Sequence, residues 1–296
     1  RRRHLVLLAQ NQTGLNNLFK LISESYRSEN FYRYPRIDFD LLEKYGEGII
    51  ASSACLGGVY AGAYWENREE GPEAVLRAMR GLTERFVSIL GDRWFGELQW
   101  NNVPEQHDLN KYIIQVCGEF GVELISTADS HYPNPTAWKD RELYKRLGWL
   151  GKGRPSWAED GELPTDVDEI GYELYPKNGN QMWEAYQKYS SDAGVKYDDD
   201  LVMASLVKTY EIAHERIEAF MPDNTVRLPD FVIPVGETED SALRKFCFEG
   251  LRSRNLHDNQ EYTDRLEHEL SVIADRGFSK YFLTMQKISE IANEIM

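Results

Sequence analysis

Asp129 and His131 stand two residues apart in Thr127-Ala128-Asp129-Ser130-His131, directly after Val122-Glu123-Leu124-Ile125-Ser126-Thr127, which reads as a strand. In extended chain, positions two apart point the same way, so the two side chains can face one site. A carboxylate and an imidazole at a strand end suit a pair of metal ligands or an acid–base pair. The same pattern also describes a turn in which Asp129 bonds local backbone N–H groups. Cys55 follows a second strand end, in Ala51-Ser52-Ser53-Ala54-Cys55-Leu56-Gly57-Gly58, where two glycines permit a tight turn that would expose the thiol. A metal would hold it as thiolate; otherwise it is a small buried hydrophobe. His4 precedes the first strand and is either a further ligand or an exposed histidine in a basic tip. Its position is awkward, because ligands in a barrel gather at the C-terminal strand ends and His4 lies at a strand start. Cys55, His131 and Asp129 also compose a nucleophilic triad on paper, with nothing to supply an oxyanion hole.

Other candidates are weaker. Gly148-Trp149-Leu150-Gly151-Lys152-Gly153 lacks the Gly-Lys-Ser/Thr ending of a phosphate loop. Asp166, Asp168 and Glu169, like Asp198-Asp199-Asp200, read as solvated faces or helix-start charges.

The elements that must position these residues alternate in period. Leu5 to Ala9, Gly48 to Ala51, Trp94 to Trp100 and Val122 to Thr127 read as strands. Between them Leu15, Leu18, Phe19, Ile22 and Tyr26 mark one helix, Val75 to Ile89 a second, and Leu109 to Phe120 a third, stopped by Gly121. That alternation predicts an α/β layer or barrel. Residues 148–164, rich in Gly and Pro, read as a surface loop. A short helix is expected over 180–189. A longer one follows Asp198-Asp199-Asp200, with Val202, Leu206, Tyr210, Ala213, Ile217 and Phe220 on one side. Pro222, Pro229 and Pro234 mark a linker, and helices follow it, so a domain boundary is placed near residue 221.

With 296 residues the chain has room for about two domains. A net charge of −15 argues against a strongly basic, non-specific nucleic-acid binder, though not against an enzyme that acts on nucleic acid. No apolar run approaches the roughly 20 residues of a membrane span, and no signal peptide is visible. Three dispersed cysteines fit a reducing cytoplasm rather than a disulfide framework. There is no initiator Met, and the apolar spacing of Met285, Ile288, Ala292 and Ile295 runs to the last residue, so an internal piece of a longer protein is expected.

Several ordered motifs resemble the alpha subunit of bacterial DNA polymerase III. They are His4-Leu5-Val6-Leu7-Leu8-Ala9 with Asn11 and Thr13-Gly14; Ser53-Ala54-Cys55-Leu56-Gly57-Gly58; Ala128-Asp129-Ser130-His131-Tyr132; Leu228-Pro229-Asp230-Phe231; and, most specific, Gly277-Phe278-Ser279 with Tyr281-Phe282-Leu283. The resemblance covers almost the whole chain. It implies a PHP-type (β/α) barrel-like domain over residues 1–220, lacking its N-terminal part, and a linker with the mainly helical start of a polymerase palm over 221–296. In that family His4, Cys55, Asp129 and His131 correspond to ligands of a metal site that takes Zn²⁺ or another divalent ion and either hydrolyses 3′-terminal phosphodiesters, a 3′–5′ exonuclease activity, or is structural. The family's earlier ligands lie in a His-x-His segment that this sequence does not contain. Its palm aspartates, which hold Mg²⁺ for polymerisation, have no counterpart here, so the chain alone is expected to be inactive and to bind metal incompletely. Implied partners are DNA primer-template, dNTPs, a proofreading exonuclease subunit and a sliding clamp. Two other readings are a stand-alone PHP-type phosphoesterase and a non-catalytic scaffold that docks the exonuclease.

Overall fold

The computed structural model describes residues 2–150, 172–219, 225, 231–233 and 235–295. The chain divides into two compact units, residues 1–220 and 221–296.

The first unit is mixed α/β. Its sheet has four strands, β1 (Val6–Ala9), β2 (Ile49–Ser52), β3 (Trp94–Gln99) and β4 (Leu124–Thr127), in the order β1-β2-β3-β4. β2, β3 and β4 run parallel, whereas β1 pairs antiparallel with β2, Val6 opposite Ser52 and Ala9 opposite Ile49. β2 and β3 are buried on both faces, as strands covered by helices on either side must be. Helices α1 (Gln12–Ser25), α2 (Phe39–Tyr45), α3 (Val59–Asn67), α4 (Pro72–Leu90) and α5 (Pro104–Phe120) connect the strands. Of these, α2 and α3 escape the periodicity reading: α2 is only seven residues long, and α3 buries Tyr60, Ala61, Gly62, Ala63 and Tyr64 in succession, leaving no polar stripe to set a period.

The core of this unit is aromatic. Phe86 stacks on Trp94 with ring centroids 4.0 Å apart, and the Trp94 indole N–H donates to Tyr60 Oη at 3.0 Å. Tyr60 Oη lies 2.6 Å from Thr83 Oγ1, so the polar atom that burial brings into the core has partners. On β3, a Cβ at Gly96 would come within 2.4 Å of Cys117 Sγ, so glycine there lets α5 lie flat against the strand.

After β4 come α6 (Trp138–Leu150), α7 (Gly179–Asp192) and α8 (Asp199–Glu211). Asn178 and Gln181 cap α7 reciprocally, and Asp198 caps α8, giving the first residue of the acidic triplet a structural task. The long helix expected through Phe220 stops at Glu211 and passes into one π-helical turn, Ile212–Arg216. That turn shifts the helical phase of the residues after it, and Tyr210, ahead of it, is exposed, whereas Val202 on the same expected stripe is buried. The first three residues of the expected loop at 148–164 belong to the end of α6; the rest lies outside the described residues, as does most of the proline-rich linker.

The second unit contains α9 (Glu239–Ser253), α10 (Gln260–Asp275) and α11 (Ser279–Ile295) around Ala242, Leu243, Leu270 and Leu283. Thr238 and Ser241 form a capping box at the start of α9, and Asp240 accepts a hydrogen bond from Ser279 at the start of α11. Among the described residues no helix is long and apolar enough to cross a membrane.

Candidate metal-ligand edge

The antiparallel pairing of β1 resolves the awkward place of His4. The start of β1 lies beside the end of β2, so His4 sits at the same sheet edge as the residues that follow β2 and β4. His4 bridges Gly58, its backbone N–H donates to the Gly57 carbonyl at 2.9 Å, and its Nδ1 lies 3.6 Å from Cys55 Sγ.

The turn that presents Cys55 works differently from the expectation. Ala54, not a glycine, takes the left-handed conformation, at φ 61°. The glycines are needed for space. A Cβ at Gly57 would stand 3.0 Å from His4 Nδ1, and one at Gly58 only 2.0 Å from the Ser53 carbonyl oxygen. The Cys55 thiol is half-buried and accepts a 3.4 Å contact from the Gly57 N–H. Burial pushes the thiol up; the Gly57 N–H pulls it back, and the negative charges of Asp129 and Glu97 add to the rise.

Asp129 and His131 meet, but not by strand alternation. β4 ends at Thr127, and Asp129 has turned to φ 47°. That left-handed turn folds His131 back, so its Nδ1 lies 2.6 Å from the Asp129 carbonyl oxygen and 3.9 Å from the carboxylate Oδ2. Asp tolerates this conformation better than most residues.

One side chain that the sequence reading left in a strand belongs to the neighbourhood. Glu97, on β3, is buried and carries a full set of acceptor contacts: Ser52 Oγ donates to Oε2 at 2.6 Å, Gln99 Nε2 to Oε1 at 3.1 Å, and Thr127 Oγ1 also to Oε1. The signal was available: a carboxylate in the otherwise largely apolar strand Trp94-Phe95-Gly96-Glu97-Leu98-Gln99-Trp100 needs partners when that strand is buried.

Imidazole, thiolate and carboxylate are donors that suit Zn²⁺. The structure brings the four candidates together as two pairs, His4 with Cys55 and Asp129 with His131. Among the described residues no group of three or more His, Cys, Asp or Glu side chains is arranged to hold a metal ion, so these residues by themselves do not make a closed cation site.

Comparison with known proteins defines the class. Residues 1–100 match the PHP domain family, and residues 241–295 match the family described as the bacterial DNA polymerase III alpha NTPase domain. The chain is 34% identical over 295 residues to DNA polymerase III subunit alpha of Aquifex aeolicus, covering 96% of this chain, and 32% identical over 293 residues to that of Borreliella burgdorferi, covering 98%. A third relative, from Thermus aquaticus, is 30% identical over 268 residues. The chain belongs to the family of bacterial DNA polymerase III alpha subunits. It spans 23% of the length of the first two relatives and 19% of the third. A free-standing phosphoesterase gives no account of the match over residues 241–295.

Proposed function

We propose that this chain serves within a replicative DNA-directed DNA polymerase, a nucleotidyltransferase of the cytoplasm that extends a DNA primer on its template with dNTPs. The observation that carries this reading is the order of two family matches in one chain, PHP at residues 1–100 and polymerase III alpha at 241–295, with relatives aligned across both. Polymerisation draws on Mg²⁺ held by carboxylates outside this sequence, and the chain itself supplies no residue to that step. The proofreading exonuclease subunit and the sliding clamp are the protein partners of this reading.

Residues 1–220 serve in it as a PHP domain and 221–296 as the entry to the palm. His4, Cys55, Asp129 and His131 act as part of a divalent-cation site at one sheet edge, Zn²⁺ being the ion their donors suit. Two pairs without a third donor in place favour a site that is incomplete in this chain alone.

Primer extension by the full natural product of the gene encoding this chain tests the first statement. Incorporation of dNTPs into primer-template supports it, and a folded protein that extends nothing overturns it. Elemental analysis after dialysis against Zn²⁺ tests the second. The gene product is expected to retain zinc, and Cys55→Ala and Asp129→Ala to lower the retained amount. Equal retention in both variants would remove these residues from the site.

A further inference from the structure

The arginines of this acidic chain are not spread evenly. Between positions 1 and 36, seven Lys and Arg residues stand against two Glu, whereas the whole chain carries −15. The same stretch exposes five aromatic side chains, Phe19 on α1 and, clustered after it, Tyr26, Phe31, Tyr32 and Tyr34. The rings and guanidinium groups interleave. Arg2 lies 3.6 Å over the ring of Tyr34, and Arg33 and Arg36 lie 5.6 and 5.9 Å from that of Tyr32. Tyr26 and Phe31 stack with centroids 5.9 Å apart.

The loop is built to hold this display. Tyr32 and Tyr34 form an isolated antiparallel bridge around Arg33, which takes φ 61°, a conformation that a side chain of this size adopts at a cost. Arg36 Nε donates to the Asn30 carbonyl and Asn30 Nδ2 to the Glu24 carbonyl, closing the base of the loop. None of these contacts buries the rings in the core.

We propose that loop 30–36, with Arg2 and the Tyr26–Phe31 pair beside it, is a docking surface for single-stranded nucleic acid. Exposed rings offer faces on which bases stack without regard to sequence, and the arginines neutralise the phosphates between them. A duplex would hide its base faces from the tyrosines, and an acidic polypeptide would use the charge but not the rings. The inference does not rest on the polymerase reading or on any metal.

Fluorescence anisotropy of the 296-residue chain with fluorescein-labelled oligo(dT), in buffer containing EDTA, tests it. Binding is expected, weakening as salt rises. The double substitution Tyr32→Ala/Tyr34→Ala is expected to weaken it about tenfold, the loss that one stacked base accounts for, while Tyr32→Phe/Tyr34→Phe retains it. Arg33→Glu should make the salt slope shallower by about 0.7 or more, and Arg33→Lys should restore it. Lys111→Glu, an exposed change on α5, should leave both unaltered. No binding of oligo(dT), or binding indifferent to the tyrosine and Arg33 changes at unchanged melting temperature, overturns the proposal. So does displacement by poly-glutamate with no response to the tyrosine changes, which would mark an acidic polypeptide as the ligand. Should the double alanine variant melt early, Arg33→Glu decides, since its side chain is exposed at the loop tip.

Discussion

Cys55 Sγ and His4 Nδ1 lie 3.6 Å apart although 51 positions separate them in the chain. The contact follows from one topological fact: β1 runs against β2, so the residue before β1 meets the turn after β2. Gly57 and Gly58 make the meeting possible by leaving room for the imidazole and for the Ser53 carbonyl.

Gly58→Ala should therefore be the more damaging of the two glycine changes. Its Cβ would sit 2.0 Å from a backbone oxygen, which cannot rotate away. A loss of about 3 kcal/mol is expected, at the upper end of overpacking costs. Gly57→Ala meets a side chain that can give by a few tenths of an ångström, and should cost about 1 kcal/mol. Urea titration followed by tryptophan fluorescence separates the two; equal costs would contradict the geometry.

Glu97 gathers donors from two other strands, Ser52 on β2 and Thr127 on β4. Glu97→Ala should destabilise the chain by about 3 kcal/mol, because buried hydroxyl and amide donors lose their acceptor. Glu97→Gln keeps the shape and one carbonyl oxygen, and should lose less than half as much. The comparison is read from paired denaturation curves. A milder alanine variant would show that water replaces the carboxylate.

His107, on α5, is buried; its Nδ1 lies 2.8 Å from Tyr197 Oη and its Nε2 2.9 Å from the Asn101 carbonyl. Burial holds its pKa below the ordinary histidine value, outweighing the Asn101 carbonyl, which pulls it upward. The unfolded chain then binds a proton more readily than the folded one. The contribution of neutral His107 is present above the unfolded value of about 6.5 and is lost as pH falls below it. His107→Gln should flatten that part of the stability-against-pH curve measured by thermal melting. An unchanged slope as pH falls below about 6.5 would sink this assignment.

Phe86 stacks on Trp94 at the centre of the first unit, and both are buried. Phe86→Ala should cost about 4 kcal/mol, the usual range for truncating a buried aromatic side chain. It should also free the indole to reorient, visible as a loss of near-ultraviolet circular dichroism. A cost under about 1 kcal/mol would mean that the cavity collapses.

The sequence by itself determined the alternation of period that makes the first unit mixed α/β, because apolar spacing reports which faces are covered. It also carried the ordered motifs, from His4 to Leu283, by which the family can be read, and the place of the acidic triplet at a helix start, where the structure then shows Asp198 as the cap. Two short helices stayed hidden because one is too brief and the other too buried to show a period. Only the tertiary structure decided the site. Strand direction is not encoded in local spacing, so spacing alone does not say that His4 reaches Cys55 rather than the opposite edge; only the family motifs implied that the two share a site. The pairing of Asp129 with His131 came from a left-handed turn where alternation predicted extended chain, since backbone dihedrals after a strand answer to packing around them. Glu97 looked like one more strand residue until three strands brought their donors to it, because hydrogen bonds between strands depend on register, and register exists only in the folded sheet.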